Sequence, residues 1–135
     1  MKAVKLTALI LGLLLCGAAL PALADEFTEA DLKRWEGEYQ SVVETGRNLW
    51  VSADLGSNGV ACAQCHPNAA NTHPETYPKF QKQIGKVAEL RHMINWCIRN
   101  PLEGVDLGFD TPEMLALEAY IAWERRNVPL APGKH

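Results

Sequence analysis

The sequence predicts one all-α domain. Three observations carry that prediction. Apolar residues recur at intervals of three and four along three stretches, and no stretch alternates with the period of two that a half-buried strand needs. The segments between them are rich in Gly, Pro and Asn, the residues of turns and loops. Between the first and second stretches stands the run Cys62-Ala63-Gln64-Cys65-His66, which supplies something for a small helical chain to fold around.

Two cysteines separated by two residues and followed at once by histidine form the attachment signature of a c-type haem. The two thiols add to the two vinyl groups on one porphyrin edge. The histidine, next in line, gives a ring nitrogen to the iron. The prediction is one covalent haem c, bound by Cys62 and Cys65, with His66 as proximal iron ligand. Two blander readings compete. A redox dithiol would sit in a strand-helix-strand pattern, which the chain lacks. A zinc site would need four ligands, drawn from Cys62, Cys65, Cys97 and a histidine.

The N-terminus begins with Lys2 and Lys5, runs apolar from Leu6 to Leu23 and ends on Ala22-Leu23-Ala24. This is the pattern of a secretory signal peptide, expected over 1–24 and cleaved before Asp25. It fits the haem, because c-type haem is attached outside the cytoplasmic membrane in bacteria, and it predicts a periplasmic protein. Cleavage removes Cys16 and leaves a single cytochrome domain over 25–135. That domain has 11 Lys and Arg against 16 Asp and Glu, a balance of −5. Such a balance argues against nucleic acid and against anionic membrane surfaces as partners.

Thr28 is the expected N-cap of the first helix, over 28–51, with Glu29 and Asp31 in its first turn. Its stripe is Leu32, Trp35, Tyr39, Val42, Val43, Gly46, Leu49 and Trp50, and Gly46 on that stripe would let another helix come close. Residues 52–61 read as loop. Residues 67–86, with Pro67, Pro74 and Pro78, hold no periodic element beyond a turn or two near Lys79–Gln83. They need a surface to pack on, which makes Tyr77 and Phe80 candidate haem contacts and His73 a surface histidine. The second helix is expected from Val87 to Arg99, ended by Asn100-Pro101. Leu90, Met93, Ile94, Cys97 and Ile98 share one face of it, with His92 and Trp96 off that face. Thr111-Pro112-Glu113 starts the last helix, with Ala116, Ala119, Tyr120 and Trp123 as its stripe beside Leu117 and Ile121. Leu130–His135 reads as a loose tail. The expected crossing sets Gly46 and Trp50 against Leu117 and Tyr120.

After leader removal three cysteines remain and the haem uses two. Cys97 is then buried and inert, paired with another chain, or bound to metal. On the residues alone Met93, Met114 and the off-face His92 stand beside it as distal iron ligands.

The order of elements, with Gly46 and Trp50 on the first helix and Leu117 and Tyr120 on the last, resembles class I c-type cytochromes. That resemblance implies the class I cytochrome c fold, with first and last helices crossing near right angles. Tyr77-Pro78-Lys79-Phe80, followed by Met93-Ile94-Asn95-Trp96-Cys97, is similar to the haem domains of SoxA, a cytochrome subunit of a thiosulfate-oxidising complex. It is also similar to thiosulfate dehydrogenases and to small His/Cys-ligated cytochrome heterodimers of anammox bacteria. In these families a cysteine after the haem motif is the distal ligand, so the resemblance implies iron bound by His66 and Cys97. The chain departs by having Pro67 where glycine is common, and by a single haem motif where thiosulfate dehydrogenases usually have two.

These readings predict a mono-haem electron-transfer protein with His/Cys ligation. The resemblance offers two alternatives: a haem subunit of a sulfur-oxidising complex, and a small-gas-binding cytochrome. No Ser-His-Asp pattern or paired carboxylates suggest an independent enzyme. The expected partners are a redox protein and either a second cytochrome subunit or a second copy of the chain. The four tryptophans, 35, 50, 96 and 123, leave one or two for such a surface.

Overall fold

The computed structural model describes residues 27–135; the expected leader over 1–24 lies outside them. Four helices appear in chain order: α1 Glu29–Val51, the single turn α2 Cys62–Cys65, α3 Leu90–Arg99 and α4 Pro112–Glu124. Among the described residues no helix is long and apolar enough to cross a membrane.

α1 starts where Thr28 and Asp31 cap it reciprocally: the Asp31 N–H donates to the Thr28 hydroxyl at 3.1 Å, and the Thr28 N–H donates to the Asp31 carboxylate at 3.2 Å. Its 23 residues make it about 35 Å long, against about 20 Å for the 13 residues of α4. The two helices therefore cannot cover each other throughout. Val43, Gly46 and Trp50 are buried, while Leu32 and Trp35 keep 53% and 39% of their surface exposed. The first part of the apolar stripe thus overhangs the core. Tyr39 still reaches α4: its hydroxyl donates to the Ala119 carbonyl at 3.5 Å and its ring meets Trp123 edge-on.

The crossing is made at Gly46. A β-carbon there would lie 1.9 Å from the Ala116 carbonyl oxygen and 2.8 Å from the Tyr120 β-carbon. The expected neighbour Tyr120 is present, and Ala116 takes the closest position. Trp50 stacks one turn on, with its ring centre 5.7 Å from that of Tyr120. Leu117, Met114, Tyr120 and Ile121 are fully buried beneath, together with Ile98 of α3. A paired bond from Arg91 to Glu118, at 3.2 and 3.0 Å, fastens α3 to α4. Asn95, buried in α3, both donates to and accepts from the backbone of Leu107, at 2.9 and 3.0 Å, and so pins the loop before α4.

Two expectations need correction. The stretch expected as turns and helix start contains an antiparallel hairpin, β1 Lys79–Gln81 and β2 Lys86–Ala88, with Phe80 opposite Val87. Strands of three residues are too short to show an alternation, and Val87 sits at helical spacing from Leu90 without belonging to that face. The hairpin delays α3 to Leu90. The tail is not loose. The Ala131 N–H donates to the Glu75 carbonyl at 2.8 Å, and the Gly133 N–H to those of Thr76 and Pro78 at 2.8 and 3.1 Å. These are backbone bonds, which no side-chain pattern announces.

The close approach at residue 46 makes a direct expectation. Gly46→Ala will lose about 1–3 kcal/mol of stability, since the added methyl must push the Ala116 carbonyl aside; Gly46→Leu will lose more. Chemical denaturation checks this, and an unchanged midpoint in Gly46→Ala would show that the crossing can give way.

Candidate haem site

α2 is one helical turn, which sets Cys62 and Cys65, three apart, on the same side. The turn is closed by the Ala61 N–H donating to the Gln64 side-chain oxygen at 3.2 Å and the His66 N–H donating to the Cys62 carbonyl at 2.9 Å. The backbone leaves helical geometry at His66, φ −128° and ψ 69°, which turns the imidazole away from the helix. Its Nδ1 lies 2.8 Å from the Ala70 carbonyl oxygen. A carbonyl only accepts, so Nδ1 carries the proton and Nε2 keeps the lone pair that a metal needs. Trp50 of α1 fixes the other end, its indole N–H donating to the His66 carbonyl at 2.9 Å.

The Ala70 carbonyl is brought to His66 by a tight 3₁₀ turn over Pro67–Ala69. Asn68 and Ala69 adopt left-handed φ values of 50° and 54°. For Ala69 this is a strained conformation, costing about 1–2 kcal/mol. It is held because Ala69 is completely buried in the core. The departure at Pro67 is thus accommodated: proline opens the turn, and the backbone freedom that glycine would give is taken up by the two residues after it.

Cys62, Cys65 and His66 line a cavity of about 420 Å³. α3 supplies the facing wall with Leu90, Met93, Ile94, Trp96 and Cys97, and Tyr77 and His73 line it as well. Trp96, expected off the working face, therefore contributes to the wall. Of the other candidates, Met114 is fully buried in the core and does not line the cavity. His92 points elsewhere, its ring 4.8 Å from Phe109. Phe80 is largely exposed and lines nothing there, so only Tyr77 of the two expected aromatic contacts reaches the cavity.

The thiols sense one another in this apolar space. Burial pushes Cys62 up to about 11, with the Cys97 thiol as the next cause. Burial also raises Cys97, with Cys65 adding to it. A thiolate at Cys97 therefore requires a cation beside it. Among the described residues no three His, Cys, Asp or Glu side chains gather closely enough to hold a metal ion, which leaves the four-ligand zinc reading without its donors. An iron porphyrin asks something different of the chain: one donor on each face of a flat disc and two thiols on one edge. The residues present fit it.

An attachment signature opening onto such a cavity, with the first and last helices locked behind it, defines a c-type cytochrome domain of the class I fold. Within that class, residues 45–130 match the family described as SoxA/TsdA, cytochrome c domain, and the chain belongs to this family, whose prosthetic group is haem c. Among its relatives is the L-cysteine S-thiosulfotransferase subunit SoxA of Rhodovulum sulfidophilum, 28% identical over 110 residues, which are 79% of this chain and 38% of that protein. A thiosulfate dehydrogenase of Psychrobacter arcticus is 26% identical over 80 residues, covering 53% of this chain and 24% of that one. The crystal structure of SoxXA from P. pantotrophus shares the fold, with a TM-score of 0.65 at 22% identity over 76% of this chain and 40% of that chain. The chain spans less than half the length of these relatives.

The bond from Trp50 to His66 is the link between core and site. Trp50→Phe removes the indole N–H and leaves the His66 carbonyl with the Ala69 N–H, at 3.1 Å, as its remaining donor; with the smaller ring it will cost about 1–3 kcal/mol. Denaturation of the parent and variant proteins measures it; equal stability would mean that water replaces the indole.

Proposed function

We propose that this protein is a periplasmic mono-haem cytochrome that carries single electrons. Its haem is held by Cys62 and Cys65, and its iron is bound by His66 and Cys97. The observation that carries the reading is that His66, at the end of α2 and with Nδ1 committed to Ala70, and Cys97 of α3 open onto one cavity. Bound haem supplies the one-electron chemistry of its iron. The chain does the rest. His66 is held in one tautomer and one orientation, so its donor strength does not vary with solvent. Cys97 as thiolate donates charge that favours the oxidised iron and lowers the potential. The walls from α3 and the buried core behind α4 limit water, which keeps reorganisation on electron transfer small. Export rests on the leader read over 1–24, and the mature domain on residues 25–135.

A second reading is supported by the family. The relatives named as an S-thiosulfotransferase subunit and as a thiosulfate dehydrogenase point to sulfur chemistry at the haem. The shared fold with a SoxXA chain points to a second cytochrome subunit as partner. In this reading the protein is a haem subunit of a thiosulfate-oxidising complex, and Cys97 meets the sulfur substrate. Adding thiosulfate, and separately carbon monoxide or nitric oxide as probes of small-gas binding, while following the Soret band separates it from pure electron transfer.

The test of the main proposal begins with mass: the mature chain plus one haem, and a c-type pyridine haemochrome. A bare polypeptide mass refutes it. Cys97→Ala will then shift the Soret band, change the ferric electron paramagnetic resonance signal and raise the potential. If that variant keeps the parent spectra while Met93→Ala loses them, the ligand is Met93, the other sulfur on the same wall.

A further inference from the structure

The cavity has a polar sector that thioethers and iron ligands leave unused. Lys79 is the single lysine or arginine among its lining residues, and Tyr77, Gln81 and Gln83 line it beside Lys79. These four come from the chain that enters and turns through the β1–β2 hairpin, whereas the thiols come from α2 and α3. The Gln81 amide donates to the Tyr77 hydroxyl oxygen. The phenol's own hydrogen is therefore not spent on that bond and is free to donate. The Lys79 ammonium stands 4.9 Å from the centre of the Tyr77 ring, and it has no carboxylate partner among the described residues. The backbone on both sides of Tyr77 is fixed, since the Gly133 N–H bonds to the carbonyls of Thr76 and Pro78. A half-buried phenol and an unpaired ammonium, held rigid on one cavity wall, form a donor pair that an anion would complete.

A haem carries such an anion. Its vinyl edge is the one that reacts with cysteines, and its opposite edge bears two propionate carboxylates. With the vinyl edge tied at α2, the carboxylates point away from that helix and need donors elsewhere on the wall. We propose that Tyr77 and Lys79 receive the haem propionates, with Gln81 orienting the phenol and the C-terminal tail holding the segment in place. This rests on the attachment at Cys62 and Cys65 proposed above.

The test uses the holoprotein and the variants Lys79→Gln, Lys79→Arg and Tyr77→Phe. Two readouts matter: the reduction potential from an optical titration, and the propionate bending bands in the resonance Raman spectrum. Lys79→Gln will lower the potential, because carboxylate charge left uncompensated favours the ferric iron, and will move a propionate band. Lys79→Arg will restore both. Tyr77→Phe will move a propionate band while the Soret and paramagnetic resonance signals of the axial ligands stay as in the parent. Lys79 sits half-buried at a strand position, so its variants carry the test if Tyr77→Phe does not fold. Propionate bands unmoved in Lys79→Gln, or in Tyr77→Phe, overturn the role of that residue. A parent chain lacking the haem mass overturns the attachment and this assignment with it.

Discussion

The approach of α1 to α4 at Gly46 is the constraint on which the site depends. With no β-carbon at 46, the helix backbone lies against the Ala116 carbonyl. That distance sets where Trp50, one turn later, comes to rest. Its ring lies on Tyr120 and its N–H reaches the His66 carbonyl at 2.9 Å. From His66 the linkage continues through Nδ1 to the Ala70 carbonyl at 2.8 Å. A missing side chain in one helix thus fixes, through four groups, the direction of an imidazole lone pair. The Ala69 N–H also donates to the His66 carbonyl, at 3.1 Å, so the turn after the motif and the helix behind it hold that carbonyl together.

The opposite wall follows a different logic. α3 is short, held by Arg91 to Glu118 and by Asn95 to the loop before α4. It presents two sulfurs, Met93 and Cys97, one turn apart. Burial keeps the Cys97 thiol protonated on its own. A neutral thioether brings no charge and favours the reduced iron, whereas a thiol becomes a strong donor only when a cation compensates its lost proton. The choice between the two sulfurs is therefore a choice of how closely the protein's charge is coupled to the oxidation state.

What could be read from the sequence was what side chains encode. The CxxCH run, the caps at Thr28 and Thr111, the stripe through Gly46 and Trp50, and the stacked pair Met93 and Cys97 each have a periodicity or a spacing. The family likeness also lay in short motifs and extends over residues 45–130. What escaped was built from backbone. The hairpin pairs Lys79–Gln81 with Lys86–Ala88 through main-chain bonds. The tail binds Glu75, Thr76 and Pro78 in the same way. The left-handed turn at Asn68 and Ala69 replaces a glycine that the motif led one to expect. The overhang of α1 escaped for another reason: an apolar stripe records what a helix can bury, while the place of the crossing, at Gly46 near the C-terminal end of α1, decides what it does bury.

These two kinds of construction divide the cavity. Its proximal side is made of helices and one rigid turn, and leaves little freedom to a substitution that keeps the fold. Its remaining rim is made of the segment from Tyr77 through the β1–β2 hairpin, held by main-chain bonds between the two strands and from the tail to the residues just before them, so the side chains there can change without loss of those bonds. Lys79, Tyr77 and Gln81 are such side chains. In this domain the main chain holds the proximal side, while the charge and hydrogen bonds presented at the rim depend on side chains alone. A substitution in the segment from Tyr77 through the hairpin can therefore alter the polar lining of the cavity while the helical framework behind His66 stays in place.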